Sequence, residues 1–308
     1  MKKLILLLFI PYVIIAQDFK IEHKVNDDKT VDFSYKNLST NTITVIVNFS
    51  FLENTMSSTR VVEKVSKNEG KLFKLKPMNN EQNIGFNYSY LFFNYNINPK
   101  VDDNFLYILP YKKETQMFVE ELSYLGSTYS NKEDPKGWKS YSFSSDEVQL
   151  IFPVRKGVVI DVVRDHDIDT TKTFTYYNKM NSVKIEHDDG TIALYSGFNK
   201  DEIYVSVGDL IYPKYNPLGK TEVYDSRKKH RINFSLFYYS TKNGVKLSSL
   251  SKNNQTEIIY ITPTFYQNGE SVKLKKDFFY ESDYDDKTLF QNLSKRQIKK
   301  YKKGNLIL

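Results

Sequence analysis

The segment at 183–198, VKIEHDDGTIALYSGF, constrains the fold of this chain more than any other. Side chains along a strand alternate between two faces, so Val183 and His187 lie on the same face of a predicted strand. Asp189 and Gly190 follow at once, and Asp-Gly is among the strongest sequence signals for a tight hairpin turn. Apolar residues alternate again after the turn. The segment therefore predicts two antiparallel strands joined by a tight turn.

Short alternating runs also fill residues 17–114, where turn-forming Asn, Asp and Gly residues separate them. Aromatic residues favour strands, and the chain holds 24 Tyr and 21 Phe. The runs predicted as strands are FKIEHKV, TVDFSYKN, TITVIVNFSFL, RVVEKV, KLFKLKP and FNYSYLFFNYN. Their number and spacing predict an immunoglobulin-like β-sandwich with a role in support or adhesion.

The last of these runs carries aromatic side chains at alternate positions. Phe86, Tyr88, Tyr90 and Phe92 share one face of the predicted strand. A strand that faces the core explains this pattern better than an exposed aromatic platform for a ligand. The apolar segment at 105–111, FLYILPY, follows and is predicted to be the exit strand of the same module.

Residues 1–16 have the three parts of a secretory signal peptide. Lys2 and Lys3 give a positively charged start, an apolar stretch follows, and Ala16 precedes the predicted cleavage point. The alternative is an uncleaved membrane anchor, but a spanning helix needs about 20 apolar residues and this stretch is shorter. We expect a secreted or periplasmic protein with no integral membrane segment after cleavage.

Charge and cysteine content exclude several classes of protein. The formal net charge is +7, and without Lys2 and Lys3 it is +5. This mild excess permits contact with anionic polymers but does not predict nucleic-acid binding. The chain has no cysteine, which excludes disulfides, thiolate metal sites and a cysteine nucleophile.

The C-terminal part at 246–308 predicts further strands and one helix. The predicted elements are strands at 258–266 and 271–279, separated by an Asn-Gly turn, and a helix at 288–303. The helix would be basic and amphipathic, with the apolar stripe Leu289, Leu293, Ile298 and Tyr301. We expect this stripe to dock on the protein surface, and the alternative is attachment of the basic face to an anionic surface.

Further motifs lie on both sides of the hairpin in a fixed order. They are a glycine–valine segment at 152–163, a turn V-x-x-G-D-x-I formed by Val205, Gly208, Asp209 and Ile211, and a strand HRINFSLFY at 230–238. In the hairpin itself the marked residues are Val183, Ile185, His187, Gly190, Tyr195 and Phe198. This set resembles the lysostaphin/LytM-type zinc endopeptidases, which cut peptidoglycan peptides. The resemblance covers about residues 129–237 and implies an antiparallel β domain of the duplicated hybrid motif at 115–245.

The resemblance also implies a zinc site with three protein ligands and one open position for water. The family's ligand positions are occupied here by Asn131, Ser142 and Asn233, and its two auxiliary histidines by Gly197 and Arg231. Amide and hydroxyl oxygens bind zinc poorly compared with imidazole. The guanidinium of Arg231 would also place a fixed positive charge beside a cation. We therefore expect this chain to lack metal ligands, catalytic residues and a cofactor.

The remaining histidines and acidic residues do not rebuild such a site. His187 stands where the family has a histidine that is not a ligand, and we expect it to be hydrogen-bonded and partly buried. His230 is one residue away from the H-x-H motif and would face the wrong way unless a bulge shifts it. Asp165, Asp167 and Asp169 alternate as in a calcium loop, but the sixth and twelfth positions lack the glycine and glutamate. We expect a solvated acidic loop.

These features together predict a secreted, catalytically inactive LytM-like protein that binds peptidoglycan or regulates a wall-hydrolase protein, as the resemblance implies for degenerate relatives. Its binding groove would be lined by His187, Tyr195, His230, Arg231 and Asn233. One alternative is an active zinc endopeptidase that holds zinc with atypical ligands. The other is a structural or adhesin-like surface protein. Zinc content, peptidoglycan cleavage and retention on peptidoglycan separate the three.

Overall fold

The computed structural model describes residues 19–124, 127, 132–167, 180–224, 227–251 and 255–304. The chain is mainly β, with 48% strand and 8% helix, and two short helices lie near the C-terminus. This confirms the prediction of a mainly β chain. Within the described ranges no helix combines the length and the apolar composition needed to cross a membrane. The predicted signal peptide at 1–16 lies outside the described residues.

Six strands form the first module, as the alternating runs predict. They are β1 (Phe19–Val25), β2 (Val31–Asn37), β3 (Ile43–Glu53), β4 (Arg60–Val65), β5 (Glu69–Leu75) and β6 (Gly85–Phe93). They make two antiparallel sheets, ordered β1-β2-β5 and β4-β3-β6, which share one apolar core. Phe19, Phe33 and Val45 are fully buried in that core. Each of the two sheets has three strands, and no seventh strand of this module is present among the described residues.

A second and larger core lies under the strands that follow. These are β7 (Leu106–Tyr107), β8 (Gln116–Glu121), β9 (Tyr141–Ser145), β10 (Leu150–Ile151), β11 (Gly157–Val163), β12 (Ser182–His187), β13 (Ile192–Ser196), β14 (Phe198–Ile203), β15 (Leu210–Ile211), β16 (Gly219–Val223) and β17 (His230–Thr241). The main sheet runs in the order β15-β11-β12-β13-β17-β9-β8. The twelve-residue strand β17 is its centre, since it pairs with β13 on one side and with β9 on the other.

The predicted hairpin is present as β12 and β13, which pair antiparallel. Gly190 supplies the positive φ of the turn, +82°. A Cβ atom at Gly190 would lie 2.5 Å from the side-chain nitrogen of Asn96, so the turn also packs against the first module. The carboxylate of Asp189 accepts hydrogen bonds from the backbone N–H and the hydroxyl of Thr191, at 3.0 and 2.7 Å.

The segment at 105–111 is not an exit strand of the first module. Its strand β7 is short, and Phe105, Tyr107, Leu109 and Tyr111 are buried in the second core. An apolar run of this length is suited to any core, and which core it joins depends on where the chain leaves the first module. This prediction from the sequence was therefore wrong.

Three strands of the C-terminal part pair with earlier strands of the second module. Its elements are β18 (Thr256–Ile261), β19 (Thr264–Gln267), β20 (Glu270–Val272), β21 (Phe278–Glu281), α1 (Asp286–Leu289) and α2 (Lys295–Lys302), after two 3-10 turns at Lys242–Gly244 and Leu247–Ser249. The first predicted strand is split at Pro263, and the second is split into β20 and β21. Asn268 and Gly269 form the predicted turn between β19 and β20, both with positive φ.

The single helix predicted at 288–303 is two helices. Asp285 caps α1 through the N–H of Thr288, and Ser294 and Gln297 form a capping box that starts α2. These caps interrupt the helical pattern between the two. The helix α2 docks through Tyr301, whose hydroxyl donates to the carbonyl of Pro213 at 2.8 Å. Docking by the apolar stripe is thus observed for this residue.

The two modules are in direct contact. The rings of Tyr95 and Tyr239 stack with centroids 3.7 Å apart. The backbone N–H of Thr42 donates to the carboxylate of Glu186 at 2.9 Å, and burial raises the pKa of that carboxyl. The hairpin that organises the second module therefore also contributes to its contact with the first.

Candidate functional site

Three adjacent strands bring most of the predicted catalytic positions together. In the sheet Ser196 on β13 lies opposite Asn233 on β17, and Asn233 lies opposite Ser142 on β9. Gly197 follows Ser196 directly. Two of the three positions compared with zinc ligands are thus cross-strand neighbours, and cross-strand neighbours have Cβ atoms about 5 Å apart. The third, Asn131, lies outside the described residues.

The ring of Tyr224 occupies the space beside Gly197. A Cβ atom at Gly197 would lie 2.7 Å from Cε1 of Tyr224 and 2.8 Å from the carbonyl oxygen of Arg231. Gly197 also has a φ of +116°, which residues with a side chain rarely adopt. No histidine side chain fits at this position while Tyr224 keeps its place.

Tyr224 is held by Arg231 and Asn233, the two residues predicted to stand at the H-x-H positions. Its hydroxyl donates to Oδ1 of Asn233 at 3.0 Å, and the guanidinium of Arg231 lies over its ring, 4.9 Å from the centroid. Burial raises the pKa of Tyr224, and the nearby charge of Arg231 opposes that rise only in part. The phenol is therefore neutral at physiological pH. We call Ser142, Gly197, Tyr224, Arg231 and Asn233 the closed cluster.

The closed cluster leaves little access for solvent. Tyr224 and Arg231 are 4% and 6% exposed, and Ser142 is fully buried. The hydroxyl of Ser142 has no hydrogen-bond partner within the described part of the chain. A catalytic metal site needs an open position for water and substrate. The packing of Tyr224 does not provide one.

The donor groups of the closed cluster do not fit zinc. They are a hydroxyl, an amide, a neutral phenol and a guanidinium, whereas zinc sites in proteins use imidazole, thiolate and carboxylate. Across the described residues, no group of three or more His, Asp or Glu side chains is arranged to hold a metal ion. Asp169, the last carboxylate of the calcium-like pattern, lies outside those residues.

Three residues expected in the groove lie elsewhere, namely Tyr195, His187 and His230. Tyr195 is on the opposite face of the sheet from Ser196, because neighbouring strand residues alternate. It is fully buried, its ring packs on Phe234 at 5.3 Å, and its hydroxyl accepts from the N–H of Val154 at 2.8 Å. Tyr195 belongs to the second core and does not line a groove.

His187 is also a core residue. Its Nδ1 lies 3.0 Å from the hydroxyl of Thr191, and its Nε2 has no partner within the described ranges. Burial is the main cause of its lowered pKa, and the positive charge of Arg155 adds to it. Arg155 forms a buried ion pair with Asp189 at 2.6 Å. The predicted hydrogen bond is therefore present, but the side chain is fully and not partly buried.

His230 starts β17 and lies opposite Val223 and Ser145. Its Nδ1 is 3.4 Å from the carbonyl oxygen of Thr221. Because Arg231 and Asn233 lie on the other face of the strand, His230 does not join the closed cluster. The structure has no bulge in the pairing of β17 with β9 that would bring it there.

A polar cleft of about 180 Å³ opens next to the closed cluster. It is lined by His166, Asp167, Asn181, Asn199, Lys200, Asp201 and Glu222. Asn181 makes three of the hydrogen bonds beside the cleft. Its side-chain amide donates to the backbone carbonyls of His166 and Phe198 at 2.9 and 3.1 Å, and its backbone carbonyl accepts from the N–H of Gly197 at 3.0 Å. The side-chain amide of Asn199 donates to Glu222 at 2.6 Å.

Sequence reasoning missed Tyr224 and the residues of this cleft. Tyr224 follows β16 and belongs to none of the spaced motifs, and its role depends on a ring that crosses to another strand. Asn181 precedes the hairpin by one residue and is buried. A buried Asn before a strand is a weak signal for a polar contact, and nothing in the sequence showed which groups it would meet.

No protein-family model matches the chain. No curated protein matches it either. The functional conclusion therefore depends on the geometry of the chain itself.

Proposed function

We propose that this chain is a secreted, non-catalytic protein with a LytM-type β domain, and that it binds peptidoglycan through the polar cleft beside the closed cluster. The observation that carries the loss of catalysis is the position of Tyr224. Its ring fills the space where the resemblance requires a catalytic histidine, and it is bonded to Asn233 at 3.0 Å. Replacement of ligands alone would have left a cavity there, but here the space is packed.

The chemistry of the cleft supports a small polar ligand over a protein partner. Its lining carries the side-chain amide of Asn199, carboxylates at Asp201 and Glu222, and the ammonium of Lys200, which pairs with Asp167. Peptide stems of peptidoglycan carry amides, carboxylates and amines, which these groups can bind. A protein interface is typically larger and has an apolar centre, whereas the described residues that line this cleft are all polar or charged.

Three measurements on the purified full chain test the proposal. Metal analysis should find no stoichiometric zinc, because the donor groups do not suit it. Incubation with purified peptidoglycan should release no fragments. Sedimentation with the same peptidoglycan should carry the protein into the pellet. Stoichiometric zinc together with cleavage would establish the zinc endopeptidase instead.

A charge reversal locates the binding surface. Lys200→Glu should weaken retention on peptidoglycan, since it replaces the ammonium group of the cleft with a carboxylate and removes its ion pair with Asp167. Lys275→Glu makes the same change on an exposed lysine outside the cleft and should have no effect. Absence of retention of the unmodified protein would favour a structural or adhesin-like role. Retention on an immobilised wall hydrolase, without retention on peptidoglycan, would favour the regulator.

A further inference from the structure

The first module has an uncovered sheet edge at β6. This strand pairs with β3 along one side, and no described residue pairs with its other side. In an immunoglobulin-type sandwich the seventh strand would lie there. Here the chain leaves β6 for the contact with the second module, at Tyr95 and Tyr239. Alternate residues of this nine-residue strand therefore present backbone donors and acceptors along an open edge.

This edge differs in composition from the other three edges of the sandwich. Proteins protect free edges with charged residues or proline, which discourage pairing with another strand. The other edge strands carry such charges: Lys20, Glu22 and Lys24 in β1, Arg60, Glu63 and Lys64 in β4, and Glu69, Lys71 and Lys74 in β5. The sequence of β6, GFNYSYLFF, contains neither a charge nor a proline. Among the four described edge strands, β6 alone lacks a residue that discourages pairing with another strand.

The sequence of β6 is also close to symmetric about Ser89. Read in either direction from Ser89, it gives Tyr at the first position and Phe at the third. The second positions are Asn87 and Leu91. A strand with this pattern can pair antiparallel with a copy of itself about a two-fold axis, because each residue then faces its mirror position.

We propose that β6 is a dimerisation strand that pairs antiparallel with β6 of a second copy, with the two-fold axis at Ser89. The pairing opposes Tyr88 to Tyr90 and Phe86 to Phe92 of the other copy. Cross-strand aromatic pairs stabilise antiparallel sheets. Two three-stranded sheets then become one continuous six-stranded sheet.

Burial of the aromatic face agrees with this assignment. Phe86, Tyr88, Tyr90 and Phe92 pack on the first core but stay half-buried, since no strand covers their open side. Pairing with a second copy continues the core across the axis and covers those rings. Asn87 and Ser89 lie on the other face and are exposed, so they tolerate substitution in the single copy.

A cysteine scan tests the register, because the chain has no native cysteine. Opposed residues in an antiparallel pair have Cα atoms about 5 Å apart, within the range of a disulfide. Ser89→Cys should therefore form a disulfide-linked dimer under mild oxidation. In the same register Asn87 and its copy are about 13 Å apart, so Asn87→Cys should form none. The readout is a non-reducing gel.

Charge substitutions test the same axis in solution. Ser89→Lys and Ser89→Asp each place like charges opposite each other, so each variant should weaken the dimer by about tenfold or more in light scattering and sedimentation. Mixing the two variants should restore the dimer through opposite charges. Circular dichroism of each variant checks that the single copy stays folded, since Ser89 is exposed.

The outcomes that overturn the proposal are distinct. An unmodified protein that is monomeric at every concentration would overturn it, and so would a dimer unaffected by either charge at Ser89. Cross-linking of Asn87→Cys in preference to Ser89→Cys would also overturn it, because the axis would then lie elsewhere. Pairing of β6 with a strand of another protein, in a chain that does not self-associate, would also overturn it, because the occupant of the edge would then be that protein.

Discussion

Gly197 is fixed both by its backbone and by the ring beside it. We expect Gly197→Ala to lower the free energy of unfolding by roughly 3 kcal/mol, from the positive φ together with the overlap with Tyr224. Gly269→Ala is the matched control, because Gly269 has a φ of +88° and no atom within 4 Å of its added Cβ. It should cost about 1 kcal/mol. Urea denaturation measures both.

The double variant Gly197→Ala, Tyr224→Ala separates the two causes. Removing the ring makes room for the new methyl group. The double variant should therefore lose less unfolding free energy than the two single variants lose together. Strict additivity would show that Tyr224 does not occupy the space beside Gly197, and it would remove the main support for the closed cluster.

His187 gives the stability a defined pH dependence. Burial lowers its pKa in the folded chain, while the unfolded chain keeps the ordinary value of 6.5. Below pH 6.5 the unfolded state therefore binds more protons, and the free energy of unfolding decreases by up to about 1.4 kcal/mol for each unit by which the pH is lowered. It is fully present above pH 6.5. Urea denaturation of the unmodified protein and of His187→Gln measures this.

His187→Gln should remove that part of the slope, because glutamine does not titrate. The neighbouring pair Arg155 and Asp189 stays in both proteins and serves as the common background. An identical slope in the two proteins between pH 7 and about pH 5 would contradict the assignment to His187.

At the scale of single elements, the start of α2 depends on Ser294. Its hydroxyl accepts from the N–H of Gln297 at 3.3 Å, and the side chain of Gln297 accepts from the N–H of Ser294 at 2.9 Å. Ser294→Ala should destabilise α2 by about 1 kcal/mol. Ser249→Ala, at an exposed serine that caps no α-helix, is the control. Amide hydrogen exchange across Lys295–Lys302 should speed up in the first variant only.

At the scale of the whole molecule, Lys214 forms hydrogen bonds with residues from distant parts of the chain. Its ammonium donates to the carbonyl of Leu109 at 2.6 Å, to the carbonyl of Tyr111 and to the hydroxyl of Ser282 at 2.9 Å. Burial lowers its pKa to about 7, and the three acceptors match the three N–H donors of the charged form. The segment after the first module and the C-terminal part thus meet at one buried lysine.

Lys214→Met should lower the free energy of unfolding by about 3 kcal/mol, because it leaves buried acceptors without a donor. Lys273→Met, at an exposed lysine, should change it little. Denaturant unfolding followed by tyrosine fluorescence is the measurement. Equal stabilities of the two variants would show that the bonds of Lys214 contribute nothing net.

The sequence by itself determined the mainly β fold, the strands of the first module and the hairpin, because alternation and turn residues are local properties. The spaced motifs also marked Ser142, Gly197 and Asn233 as positions of one predicted site. Only the tertiary structure decided that 105–111 joins the second core, that Tyr195 faces that core, and that Tyr224 fills the space beside Gly197. These outcomes depend on which surfaces meet across the sheet, and contacts between residues distant in sequence leave no local pattern to read.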